Sequence, residues 1–65
     1  MVTVHRAYGY RFVIFTNDHS PAHVHVVGAG GEAKIALDPM MLEWSDGIGR
    51  GDMRRILDET ERERL

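Results

Sequence analysis

Apolar and polar positions alternate along the first half of this chain, then change to a helical period near the end. Val2–Ala7 and Tyr10–Phe15 are β-branched and aromatic runs. They flank Tyr8-Gly9, which predicts a hairpin whose glycine supplies a positive φ. A turn at Asn17–Ala22 leads to a strand at His23–Val27. Gly28-Ala29-Gly30-Gly31 then turns the chain into a strand at Glu32–Leu37. Asp38-Pro39 stops that strand, because proline cannot donate to a ladder.

Treating Gly28–Gly31 as a four-residue loop places together positions whose numbers sum to 59. Val24 then opposes Ile35 and Val26 opposes Ala33, with Leu37 on the same side. His25 opposes Lys34, His23 opposes Ala36, and Glu32 stands beside Val27 at the loop end. One face is entirely apolar; the other carries His23, His25, Lys34 and Glu32. A slip of one residue would bury the charges, so the pattern selects this register.

Residues 38–49 read as a linker, and a helix is expected over about 50–64. Gly49 is a tolerable N-cap, and Asp52 stands in the first turn, where acid favours the helix dipole. Ile48 and Met53 have the spacing of a hydrophobic staple. Met53, Ile56, Leu57 and Thr60 form the inner stripe, while Arg54/Asp58, Arg55/Glu59 and Asp58/Arg62 lie at i, i+4 on a solvated outer face. The helix reaches Leu65 without a cap, the expected form of a chain shortened from a longer ancestor or of an end packed on a partner. The prediction is an α+β domain over residues 1–65: two β-hairpins in a small, mainly antiparallel sheet, with one C-terminal helix packed on its apolar face.

Sixty-five residues make one small domain. Such a chain buries only about 60% of the surface its unfolded form exposes, so a metal or a partner chain is a natural supplement. There is no cysteine, which excludes disulfides and thiolate zinc sites. The formal net charge of −2 is unevenly spread, with a mildly basic front half and half of the ten acidic residues in the last fourteen positions. No broad basic field for nonspecific DNA exists. The longest apolar run, Phe12–Phe15, is strand length and far short of the roughly 20 residues a bilayer demands. Cytoplasmic location and no membrane contact are the expectation.

Three of the four histidines fall within seven positions, in Asn17-Asp18-His19-Ser20-Pro21-Ala22-His23-Val24-His25-Val26. Pro21 stiffens the turn that presents them. Histidine ionises near neutrality and is the commonest metal ligand, which opens three readings. As a metal site, His19, His23 and His25 would hold zinc or copper, with Glu32 or Asp18 completing the shell. Lys34, directly across from His25, would repel the ion, so no metal is assigned. As a metal-independent RNA-cleaving site, His23 and His25 would serve as general base and acid and Lys34 would hold phosphate, with Arg11 or Arg6 adding charge. His19, Glu32 and Arg11 are then auxiliary. As a structural cluster, the histidines would brace the turn of a module that binds another protein. His5 stands alone on an edge strand and reads as surface. Met40-Met41-Leu42 with Trp44 reads as core, as a lid against the helix, or as an exposed apolar patch that a partner covers.

Gly9-Tyr10-Arg11-Phe12, the segment Asn17–Val26, and Gly31-Glu32-Ala33-Lys34-Ile35-Ala36-Leu37-Asp38-Pro39 together resemble the bacterial family known as domain of unknown function 4160. The resemblance runs from about residue 2 to 62. The chain departs from the family pattern at Ala22, where a second proline is common, and at Gly49, where serine is usual. It also lacks the family's short aromatic-containing tail. The resemblance implies genes that sit beside a small second gene, in the manner of a toxin–antitoxin module. The working expectation is therefore the effector half of such a module, a histidine-based ribonuclease. Its partners would be a cognate small protein encoded alongside, a second copy of the chain, and RNA. The alternative is a non-catalytic protein-binding or metal-binding module.

Overall fold

The computed structural model describes residues 2–17, 20–37 and 39–63. Five strands follow one another across a single antiparallel sheet in chain order. They are β1 (Val2–Ala7), β2 (Tyr10–Asn17), β3 (Ser20–Gly28), β4 (Gly31–Leu37) and β5 (Met40–Asp46), followed by helix α1 (Arg50–Glu63). Tyr8 and Gly9 both have positive φ, at 55° and 79°. That is the combination a tight hairpin turn of the right twist requires, although tyrosine occupies the first place. Among the described residues, no helix is long and apolar enough to cross a membrane.

The β3–β4 register is the one the alternation selects. Val24 pairs with Ile35, Val26 with Ala33, His25 with Lys34 and His23 with Ala36. The strands run on to pair Gly28 with Gly31, which leaves a two-residue turn in place of a four-residue loop. On β2, Tyr10 pairs with Gly28. A side chain at Gly28 would strike the Tyr10 ring, so the glycine makes room for the aromatic.

Residues 38–49 are not a linker, because β5 occupies most of that span and pairs with β4 from Glu32↔Asp46 to Leu37↔Met40. A register shift between Lys34 and Ile35 inserts Glu43 as an extra residue. This bulge breaks the two-residue period and hides the strand from an alternation test. The sheet therefore has one strand more than two hairpins supply.

Tyr10, Phe12, Ile14, Val24, Val26, Ala33 and Ile35 form the buried face, capped by Ile56 of α1. Gly49 accepts the Met53 N–H through its carbonyl at 2.9 Å, which places it at the N-cap. Ile48, Met53 and Leu57 pack half-buried at the margin of the core. The helix is rotated from the expected stripe, since its buried residues are Ile56, Glu59 and Thr60. Glu59 thus leaves the solvated face on which it was expected to pair with Arg55. Arg55 pairs instead with Asp52, at 3.1 Å.

Candidate functional site

The helix covers one face of the sheet, and the strand pairings order the other face into rows. Residues directly opposite across antiparallel strands share a face. One row runs Arg6, Arg11, Val27, Glu32, Asp46 from β1 to β5. The next runs Val4, Val13, His25, Lys34, Trp44. A third contains Phe15, His23, Ala36 and Met41. His23, His25, Lys34 and Glu32 therefore do share one surface, as the alternation implies, and Arg11 joins them from β2. His19 lies outside the described residues.

Each of the central groups is engaged. The His23 ring stacks on Phe15, with centroids 4.9 Å apart. His25 shares a hydrogen bond with the Glu32 carboxylate through Nε2 at 3.0 Å, and its ring meets the edge of Trp44 at 5.7 Å. Lys34 reaches out to Glu43, with Nζ 3.3 Å from the carboxylate. Arg11 stands in the same row as Glu32 but two strands away. The face is also apolar at its margins: Val4 is 50% exposed, Met41 58% and Trp44 42%. Trp44 and Phe15 belong to this surface although the histidine motif does not include them. The aromatic spacing from His25 becomes legible only once the bulge at Glu43 is known.

His5 is not a surface residue of the open face. It pairs with Phe12 across β1 and β2, which turns it toward the helix. Its ring packs edge-on against Phe12, and Nε2 lies 2.7 Å from the buried Glu59 carboxylate. Arg62 closes the pair by donating to the other Glu59 oxygen. The hydrogen bond from His5, reinforced by Arg62, holds the Glu59 carboxyl below its ordinary range despite burial. Nearby, the Tyr10 hydroxyl donates to Asp52 at 2.9 Å, and that bond raises the phenol above its ordinary range.

Among the described residues, the histidine and carboxylate atoms close enough to hold a metal together are those of His5, Glu59 and Glu63. This group lies on the helix side of the sheet, away from His23 and His25, and the Arg62 guanidinium already occupies Glu59. A groove of about 670 Å³ between β5 and the start of α1 is walled by Ile48, Met53 and Leu57 and flanked by Arg50 and Arg54. Neither His23 nor His25 lines it.

The family model for a domain of unknown function, DUF4160, matches residues 9–64. That span is nearly the whole chain, which belongs to this family. No curated protein and no solved structure matches the chain.

Proposed function

We propose that this chain is a small protein-binding module whose docking surface is the open face of the sheet, with His23 and His25 at its centre. The observation that carries the reading is the charge pattern around an exposed apolar surface. Arg6, Arg11 and Lys34 are balanced by Glu32, Asp46 and Glu43, and Lys34 is already paired with Glu43. A surface that tracks a phosphate backbone gains its affinity from an excess of cations, which this one lacks. Aromatic residues, methionine and arginine at a surface with interspersed charge are instead the composition of a protein interface. Within a two-gene module of the kind the family resemblance implies, this face would meet the cognate small protein or another copy of the chain.

One observation favours a second reading, RNA cleavage. The His25–Glu32 hydrogen bond is the arrangement by which a carboxylate orients an imidazole for proton transfer, with Lys34 directly across the strand as a phosphate holder. Chemical-shift mapping on isotope-labelled protein separates the two. The open-face residues His23, His25 and Trp44 should respond to rising protein concentration or to the neighbouring gene's product. They should be indifferent to a mixed-sequence single-stranded RNA. Shifts or cleavage with RNA, and none with either protein, would overturn the docking reading.

A further inference from the structure

We infer that the partner of the open face is a second copy of this chain, packed sheet to sheet about a two-fold axis parallel to the strands and centred on β3. The inference rests on the docking reading above and names its occupant. Its basis is the order of charges along one row: Arg6 and Arg11 on β1 and β2, Glu32 and Asp46 on β4 and β5, with Val27 between them. Such an axis reverses strand order while leaving each row facing itself. Arg6 of one copy then meets Asp46 of the other, and Arg11 meets Glu32, each contact occurring twice by symmetry.

The remaining rows fit the same operation. Trp44 faces Val4, so two of the most exposed apolar side chains cover each other. Phe15 faces Ala36, a large residue against a small one. Lys34 faces Val13 and keeps its ammonium at Glu43, so its aliphatic stem supplies the contact. The histidines meet their own counterparts on the axis. The other in-plane axis, across the strands, would lay the charged row over Phe15, His23, Ala36 and Met41. It would set Arg6, Arg11 and Asp46 against uncharged residues and leave Glu32 with His25 alone, a large desolvation cost. The charge order therefore selects one packing.

Size sets the strength. Five strands at about 4.8 Å spacing and a described length of about 20 Å give roughly 500 Å² per copy. That is at the lower end of specific interfaces, so association on the order of 10–100 μM is expected rather than an obligate dimer. The product is a sandwich with sheets about 10 Å apart and a helix on each outer side.

Sedimentation equilibrium on the full chain, from micromolar to near-millimolar concentration, tests this directly. The 7.4 kDa chain should pass reversibly to twice that mass. Arg6→Glu and Asp46→Arg should each weaken association about tenfold or more, because each creates two like-charge contacts. The combined Arg6→Glu/Asp46→Arg variant should restore it. Within one chain these residues stand on opposite edges of the sheet, so rescue can arise only between copies. Both side chains are exposed, and an unchanged melting temperature verifies that the variants fold. A chain that remains monomeric throughout overturns the inference. If the neighbouring gene's product still perturbs Trp44 in such a monomer, the docking reading survives and the self-pairing alone fails. A dimer indifferent to the charge exchange also overturns it.

Discussion

The two faces of the sheet treat their polar groups in opposite ways. On the helix side, His5, Glu59 and Arg62 close on one another, Tyr10 closes on Asp52, and the Thr60 hydroxyl donates to the Ile56 carbonyl at 2.8 Å. No buried side-chain polar atom among the described residues is left without a partner. On the open side, His25, Glu32, Lys34 and Glu43 also pair, yet their side chains remain 37–46% exposed, beside bare Val4, Met41 and Trp44. Pairs of that kind between solvated groups contribute little to stability. The helix side is finished by its own residues, whereas the open side is ordered without being covered. On the docking reading, stability and recognition belong to opposite surfaces of one sheet, and mutation can separate them.

The largest effect belongs at the centre of the covered face. Ile56 is fully buried against Phe12, Val24, Val26 and Ile35. Ile56→Ala should cost about 2–5 kcal/mol, comparable with the whole stability of so small a domain. Circular dichroism should show a chain unfolded or melting near room temperature. Leu57→Ala should cost less, because Leu57 packs only half-buried at the margin of the same core. Should the two variants melt alike, the helix would not be rotated as described, and Ile56 would lose its place as the keystone of this face.

That rotation marks how far the residues alone disclose the structure. The β3–β4 pairing was legible because both strands alternate cleanly, so only one register keeps the charges on one side. The common face of His23, His25 and Lys34 came with it. Strand β5 was illegible for the converse reason: Glu43 interrupts the alternation, and Pro39 suggested an end. The inward turn of His5 is hidden because the β1 sequence alternates acceptably either way. The two-residue turn at Tyr8-Gly9 pairs Ala7 with Tyr10, and hence His5 with Phe12; applying the turn geometry to that hairpin would have turned His5 inward. The burial of Glu59 is not legible because a glutamate at helical spacing normally belongs to solvent, and only a cation and a histidine arriving from other positions make its burial tolerable.

A smaller effect tests whether those closed pairs stabilise the covered face. Because the Glu59 carboxyl lies below its ordinary range in the fold, the unfolded chain takes up a proton more readily. Its contribution is complete above the ordinary carboxyl range and is lost as pH falls through the depressed value. Melting temperature should therefore decline as pH falls through and below the ordinary carboxyl range. Glu59→Gln should lower it by a few degrees near neutrality while flattening the acid slope. Tyr10 supplies the mirror case: its raised phenol favours the fold below the ordinary tyrosine range, and that advantage fades as pH rises through the raised value. Tyr10→Phe should remove this alkaline loss. A Glu59→Gln curve parallel to the original would place the acid sensitivity elsewhere and weaken the contrast between the faces.

The smallest stability effect carries the sharpest test of the contrast. Trp44 is large, yet it lies 42% exposed on β5, and its described ring contact is the edge of His25. Replacing a half-exposed side chain on an edge strand removes less buried area than emptying the core, so Trp44→Ala should cost on the order of 1 kcal/mol, well below Ile56→Ala. Val4→Ala, on the opposite edge, should behave alike. Both should nevertheless lose binding, because an aromatic anchor at a protein interface contributes far more once water is excluded around it. Thermal melts and binding measurements on the same samples decide the matter. If Trp44→Ala destabilised the chain as strongly as Ile56→Ala does, the open face would be part of the core and could not be a docking surface. If it changed neither stability nor association, the aromatic residue would be incidental and the charged row alone would have to carry recognition.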